Sequence, residues 1–494
     1  MKRFYDQRAR VAGFCSLLML SSGISVRSET YYISSSEGSD SYSVEMAQSF
    51  NTPWKSLDKV TQSMLIFSPG DSILFKRGDE FEGTLQIICS GSDGNPIVFG
   101  AYGVGQEPEI RAMEQLDDWV NTSGNIWKST VNAEQEIVSS LLLNGTSMQL
   151  GRYPNREDHN GGYLTIEGFS GDHWISSSSL SGADDWSGGE AVIRTTHWRI
   201  EWRPIVSHQD EELLLNGESI YSFREGFGFF IQNHIGTLDE EGEWYYDSEG
   251  GELYLYSSND PSSDHIQVSS LESAVKIKDQ NHVVVEHMAL KGGGSSTIEI
   301  RSSEDVEVLD CAFDYAGNVA LDIRGCSSST VSRNRISESN NSAIYIRNCN
   351  NMIVLGNQVS HVGLRPGMGQ DESILYSGIV LDGYNNECRN NHIDNVGYTG
   401  IQFDGDQVLI KNNTVKYFCR TLHDGGGIYT SNGEAIVHTS RVIEGNIVLH
   451  GVGASEGTDA PGREQAHGIF MDQLSDHVTI SHNTVASCPL YGIF

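Results

Sequence analysis

An asparagine returns in register along the last third of the chain: residues 334, 357, 391, 413, 446 and 483 are all Asn. Each stands two residues before Ile or Val and follows a short apolar stretch, as in Val331-Ser332-Arg333-Asn334-Arg335-Ile336 and Ile480-Ser481-His482-Asn483-Thr484-Val485. The smallest steps are 22 and 23 residues, and two steps of 23 back from Asn334 reach Cys311 and Met288 in matching contexts. A period in this range, with strand-like alternation and no 3.6-residue pattern, predicts a β-solenoid with one repeat per coil. Like residues then stack about 4.8 Å apart. A stacked Asn column can pass amide hydrogen bonds from coil to coil and so satisfy groups that are costly to bury alone. Asn is common in isolated turns, but six in register make a ladder.

A second column carries a small residue followed by Leu or Ile: Ala320, Ala343, Gly378, Gly400, Gly427, Gly468 and Gly492. From an Asn to the next member takes 9 residues at 334–343, 391–400 and 483–492, but 21 at 357–378, 14 at 413–427 and 22 at 446–468. The extra residues leave one corner of three coils, which predicts the walls of a cleft on a rigid floor. Four residues past the small one the column reads Arg324, Arg347, Asp382, Asp404, Ser431 and Asp472, and His423-Asp424-Gly425-Gly426-Gly427 enters just before Ser431. Three glycines let the backbone run close to a ligand. Stacked carboxylates repel, so they shift their pKa values upward or take up a cation. Asp382-Gly383 and Asp404-Gly405 also read as ordinary turns, a reading that fits Asp424 and Asp472 less well.

The segment Tyr31-Tyr32-Ile33-Ser34, then Pro53-Trp54-Lys55-Ser56-Leu57, Pro69-Gly70-Asp71-Ser72-Ile73 and Gly94-Asn95-Pro96-Ile97-Val98 resembles the opening of right-handed parallel β-helix proteins of the pectate-lyase-like superfamily. Leu57 to Ile66 has helical spacing and would cap the open end of the coil, as solenoid termini require. Residues 29–135 are thus assigned to an N-terminal cap and the first coils. Over 136–270 the period disappears and hairpin signals replace it: Leu141-Leu142-Leu143-Asn144-Gly145, and Glu243-Trp244-Tyr245-Tyr246-Asp247 with Glu252-Leu253-Tyr254-Leu255-Tyr256 around Gly250-Gly251. The fold expected is all-β: a right-handed parallel β-helix over 271–494 with an inserted all-β subdomain.

Arg152-Tyr153-Pro154-Asn155 and the Glu243-to-Asp247 segment resemble β-helix glycoside hydrolases of the family 141 type, known for fucosidase and xylanase activities. In that type the Asp of an Asp-Gly-Gly-x-Ile-Tyr segment and the Asp closing a later Gly-Ile-Tyr-x-Asp segment form the catalytic pair. The resemblance implies Asp424 and Asp472, with Phe470 in place of the second Tyr. Glycoside hydrolysis needs one carboxylic acid for the leaving oxygen and one carboxylate as nucleophile or base, and one of the two needs a raised pKa. His423, Tyr429, His467, Asp404 and Asp382 are the candidate sugar contacts. No metal ligand is assigned and no cofactor is required, with calcium left open.

The formal charge of −34 opposes nucleic acid, anionic membranes and, without a local basic patch or a cation, strongly polyanionic substrates. Residues 1–28 read as a secretory signal, with a basic start, the apolar run Val11 to Ile24 and small residues at its end. Its five basic residues and one acidic one would leave the mature chain at −38. The expected product is secreted, monomeric and without a membrane span, with a polysaccharide or oligosaccharide as its partner. Seven cysteines follow the signal; Cys326 and Cys349, one period apart, are read as ladder residues first and a disulfide second. Two rival functions stand beside the hydrolase. One is a uronate lyase using Lys291, Arg301, Arg324 or Arg347, with Asp382, Asp404 and Asp472 holding calcium. The other is a non-catalytic glycan-binding adhesin. The last residues, Tyr491-Gly492-Ile493-Phe494, open another coil with no cap, so a truncated sequence is expected.

Overall fold

The computed structural model describes residues 28–133, 138–369, 376–432 and 437–494; the signal reading of residues 1–27 lies outside them. The aliphatic positions of the repeats wind into three parallel sheets of 9, 11 and 10 strands. One coil runs Val275–Lys278, Asn281–Glu286, Ala289–Gly292, and the next begins at Ser296–Arg301 in register with Val275–Lys278. Because the register repeats without slip, like residues stack. Ile298, Leu321, Ile344, Ile379 and Ile401 form one buried column, and Leu290, Phe313, Ile336, Val359, Ile393, Val415 and Val448 another.

The Asn ladder is continuous. Oδ1 of Asn357 accepts both the backbone amide and Nδ2 of Asn334 at 3.0 Å, and the second Nδ2 hydrogen of Asn334 goes to the Val308 carbonyl at 2.9 Å. The pattern recurs through Asn391, Asn413, Asn446 and Asn483. Each buried amide therefore spends both hydrogens and its oxygen, which is the condition for burying it without penalty. Cys326 and Cys349 stack in the same manner, with the Cys326 amide 3.2 Å from Cys349 Sγ, and both remain free thiols.

At the N-terminal end, helix Leu57–Ser63 is capped by the Ser56 hydroxyl, which accepts the Lys59 amide at 3.1 Å. Leu57, Val60 and Met64 are buried in the core of the first coils. The inserted region forms three antiparallel sheets of 4, 8 and 4 strands. Ile126–Thr130 pairs with Glu252–Tyr256, and Glu114–Gln115 with Ile266–Val268. Residues 114–130 thus pair with the insert rather than with the first coils, to which the sequence reading gave them. Asn144 and Gly145, both at positive φ, turn the Leu141–Met148 hairpin.

The insert does not stand apart. Along its central strands, Ile193, Phe229 and Ile231 face its own core, while Val192, Ile200, Trp202 and Phe230 join the core of the β-helix, the period-2 alternation of strands buried on both faces. Polar contacts reach all three long corners. Trp202 Nε1 and Gln232 Nε2 donate to the Gly367 carbonyl at 2.7 and 2.8 Å. Arg194 donates to the Thr421, Ala454 and Glu456 carbonyls at 3.1, 3.0 and 2.8 Å. The corner loops expected as cleft walls therefore also act as clasps that hold the insert.

Replacing Asn391 by Ala removes the acceptor of two Asn357 hydrogens and the donor to Val354. It should lower stability by about 2–4 kcal/mol, seen as a lower melting midpoint, while the exposed ladder-flanking Arg335→Ala stays near wild type. A second prediction concerns Glu243, buried beside Arg152. Burial pushes its pKa up to about 7 against the amides of Asp239, Glu240 and Arg152, which lower it. A carboxyl raised on folding favours the fold below its unfolded value and loses that contribution as pH rises through its folded one. Stability should fall by about 3 kcal/mol between roughly pH 4.5 and 7 from this group, and Glu243→Gln should flatten that part of a melting-versus-pH curve.

Candidate active site

Two adjacent strands of the nine-stranded sheet, Gly425–Thr430 and Ala466–Met471, carry the implied pair. Asp424 precedes the first and Asp472 follows the second. The chain enters at Asp424 in the left-handed region, φ 59°, sparsely populated by non-glycine residues. Two of the three glycines that follow, Gly425 and Gly427, are required by packing within the coil. A Cβ on Gly425 would lie 2.4 Å from the Tyr398 ring, and one on Gly427 2.3 Å from Val448 Cγ1. The sequence reading gave these glycines a close approach to a ligand; the close approach is to Tyr398 and Val448.

A short chain of contacts joins the two carboxylates. The half-buried Asp424 has Oδ1 3.7 Å from His467 Nε2. The His467 ring lies 4.1 Å from Phe470, and Phe470 meets Tyr429 edge-on at 5.3 Å. The Tyr429 hydroxyl then donates to Asp472 Oδ2 at 3.0 Å, while Asp472 Oδ1 accepts the Gln473 amide at 2.8 Å. Tyr398 lies beneath and donates to the Asp424 backbone carbonyl at 3.4 Å. Burial, with Asp472 and Asp424 nearby, raises the Tyr429 phenol; burial foremost, then Tyr429, Cys419 and both carboxylates, holds Tyr398 well above its usual value. Both phenols are thus fixed as protonated donors beside two carboxylates.

The remaining candidates fall in different places. His467 is buried against Phe470, Tyr491 and Phe494, behind Asp424 and away from solvent. His423 is buried in the seam with the insert. Its ring lies 4.4 Å from His197 and neither ring nitrogen has a partner. Burial, aided by Arg194 and His197, pushes its pKa down to about 3, so it is a neutral wedge and not an exposed sugar donor. Asp382 and Asp404 are register neighbours. Asp382 is spent on Arg347 at 3.2 Å and the Asn348 amide, and the exposed Asp404 accepts the amide of its own Gly405 at 2.8 Å. Among the described residues no three His, Cys, Asp or Glu side chains gather as a metal site.

The basic column proposed for lyase chemistry is engaged. Arg301 and Arg324 both pair with Asp322, Arg347 with Asp382, and Lys291 reaches Gln267 Oε1 at 3.3 Å. What the sequence did not offer is the hairpin tip of the insert. There His197 bonds Asp459 at 2.9 Å, its carbonyl accepts the His423 amide at 3.2 Å, and exposed Trp198 stands edge-on to Tyr221 at 5.8 Å. A residue chosen by its coil register cannot reveal a partner more than 200 positions away.

This chain is a right-handed parallel β-helix, and the structures it resembles include carbohydrate-active enzymes. A right-handed β-helix region model matches residues 273–442 and 373–494. A solved glycoside hydrolase aligns over 92% of this chain and 97% of its own, at 12% identity and a TM-score of 0.69. The complex of XylC with xylose aligns over 90% and 69%, at 13% identity and a TM-score of 0.53. At such identities the likeness is one of fold. Lacto-N-biosidase of Bifidobacterium longum subsp. longum is 40% identical over 80 residues, which is 16% of this chain and 5% of that protein. Among the described residues no helix is long and apolar enough to cross a membrane.

The contact between Gly425 and Tyr398 is testable by a cycle. Gly425→Ala should cost about 1–3 kcal/mol of stability, and the cost should shrink in a Tyr398→Leu background, because the clashing ring is gone. Equal costs in both backgrounds, read from melting midpoints, would contradict the packing described.

Proposed function

We propose that this protein is a secreted glycoside hydrolase acting on a plant or algal cell-wall polysaccharide or its side chains, with Asp424 and Asp472 as its carboxylates. The observation that supports the reading is two carboxylates on neighbouring coils, each beside buried aromatic side chains: Asp424 near His467, with Tyr398 on its backbone carbonyl, and Asp472 bonded by Tyr429. Asp472 accepts two hydrogen bonds, from a phenol and an amide. That suits the nucleophile or the base that activates water. Asp424 then serves as the acid for the leaving oxygen, with the buried His467 limiting its movement. The exposed Trp198 and the half-buried Tyr221 on the adjoining insert offer ring faces for a sugar. The lyase reading is weaker because each arginine it needs already holds a carboxylate.

Digestion of a panel of xylans, fucosylated glycans, lacto-N-biose oligosaccharides and uronate polymers tests this. Reducing ends should appear without the absorbance of an unsaturated uronate. Asp424→Asn and Asp472→Asn should each lower the rate by about 10²–10⁴-fold with unchanged melting points. Rising absorbance that survives both substitutions would remove the hydrolase and the pair together.

A further inference from the structure

The seam between the insert and the corner loops holds a cluster that the carboxylate pair does not use. A cavity of about 220 Å³ is lined by Arg156, Glu338, Leu364, Arg365 and Arg420. A neighbouring one of about 210 Å³ shares Arg156 and Arg420 and includes Arg194. In a chain with 66 acidic and 32 basic residues, arginines commonly find carboxylates, as Arg111, Arg203, Arg301, Arg333, Arg347 and Arg389 do. Arg156 and Arg420 do not. Among the described residues the first donates only to the Leu364 carbonyl, at 3.1 Å, and the second only to Asn395 Oδ1. Both are exposed, so their remaining N–H groups face solvent.

The surroundings sharpen the point. Glu338, the one acid lining the first cavity, is already bound to Arg365 at 2.8 Å. Behind the second cavity Arg194 is fully buried and bonds four carbonyls, the fourth being that of His197 at 2.9 Å. Its hydrogen bonds go to carbonyls alone, and the carboxylate that acts on it is Glu456, which with Glu157 also lines the second cavity. Two solvent-facing forks beside it, fixed by neutral acceptors, are arranged for an oxyanion, which guanidinium binds bidentately.

We propose that the Arg156–Arg365–Arg420 cavity is an anion subsite that takes the carboxylate or sulfate of an acidic sugar residue. The glycan part of the assignment rests on the proposed function, whereas the anion part does not. Arg420 is four residues before Asp424, a span of at most about 14 Å, so the acidic unit would flank the sugar being cleaved. A glycan partly decorated with acid would then be accepted despite the charge of the whole chain.

The test is fluorescence anisotropy with labelled oligogalacturonate, a sulfated galacto-oligosaccharide and a neutral xylo-oligosaccharide, on the wild type and on Arg156→Gln/Arg420→Gln. Turnover is not needed for this readout, so a failed hydrolase reading leaves it intact. The acidic sugars should bind the wild type, lose about tenfold or more in affinity in the double variant, and weaken with added salt. The neutral sugar should be indifferent to the substitutions, and both proteins should melt alike because both side chains are exposed. Acidic sugars that fail to bind, or bind the double variant equally, would overturn the subsite. Inorganic sulfate competing as strongly as the oligosaccharides would retain an anion site and overturn its assignment to a glycan.

Discussion

The buried asparagine amide, handed from coil to coil, is the interaction on which the rest of this structure depends. From Asn334 to Asn446 each is buried and is satisfied by the Asn that the next coil supplies at the same place. The arrangement is cooperative in a strict sense, because removing one member leaves unpaired groups on both neighbours. It also fixes the register of the strands that follow, since a slip would break the ladder and move aliphatic side chains out of the core. The candidate site inherits this rigidity. Asp424 and Asp472 lie at opposite ends of two paired strands whose register is set by the ladder running through the same coils.

On that scaffold the irregular parts serve one another. The three long corners give the insert carbonyls to grip, and the insert supplies Arg194, Trp202 and Gln232 to grip them. Its hairpin tip in turn covers His423, the residue before Asp424. The position of a candidate catalytic group thus depends on a subdomain whose hydrophobic core is largely its own.

Much of the fold was legible because it is written as a period. The Asn column, the aliphatic stacks and the Arg-to-Asp column are one-dimensional patterns, and the structure repeats them in register. The edge of the insert was not legible: Glu114 to Thr130 carries no repeat, and its partners lie more than 100 residues away. The site was partly legible. Tyr429 meets Asp472 and His467 lies near Asp424, each contact made between neighbouring coils, while His467, read as a sugar contact, is buried. His423 was read as a sugar contact, but its burial comes from the insert, and the Tyr398 ring that leaves no room for a Cβ at Gly425 comes from the preceding coil. In both cases the deciding neighbour lies outside the local motif.

The clasping corners have a meaning for descent as well as for packing. A loop whose carbonyls are bound by another subdomain cannot shorten alone without leaving a buried guanidinium such as Arg194 bare. Corner length and insert are therefore mechanically coupled. In related chains the two should be gained or lost together, and a coil that has returned to the nine-residue spacing would mark a lineage in which the insert has gone.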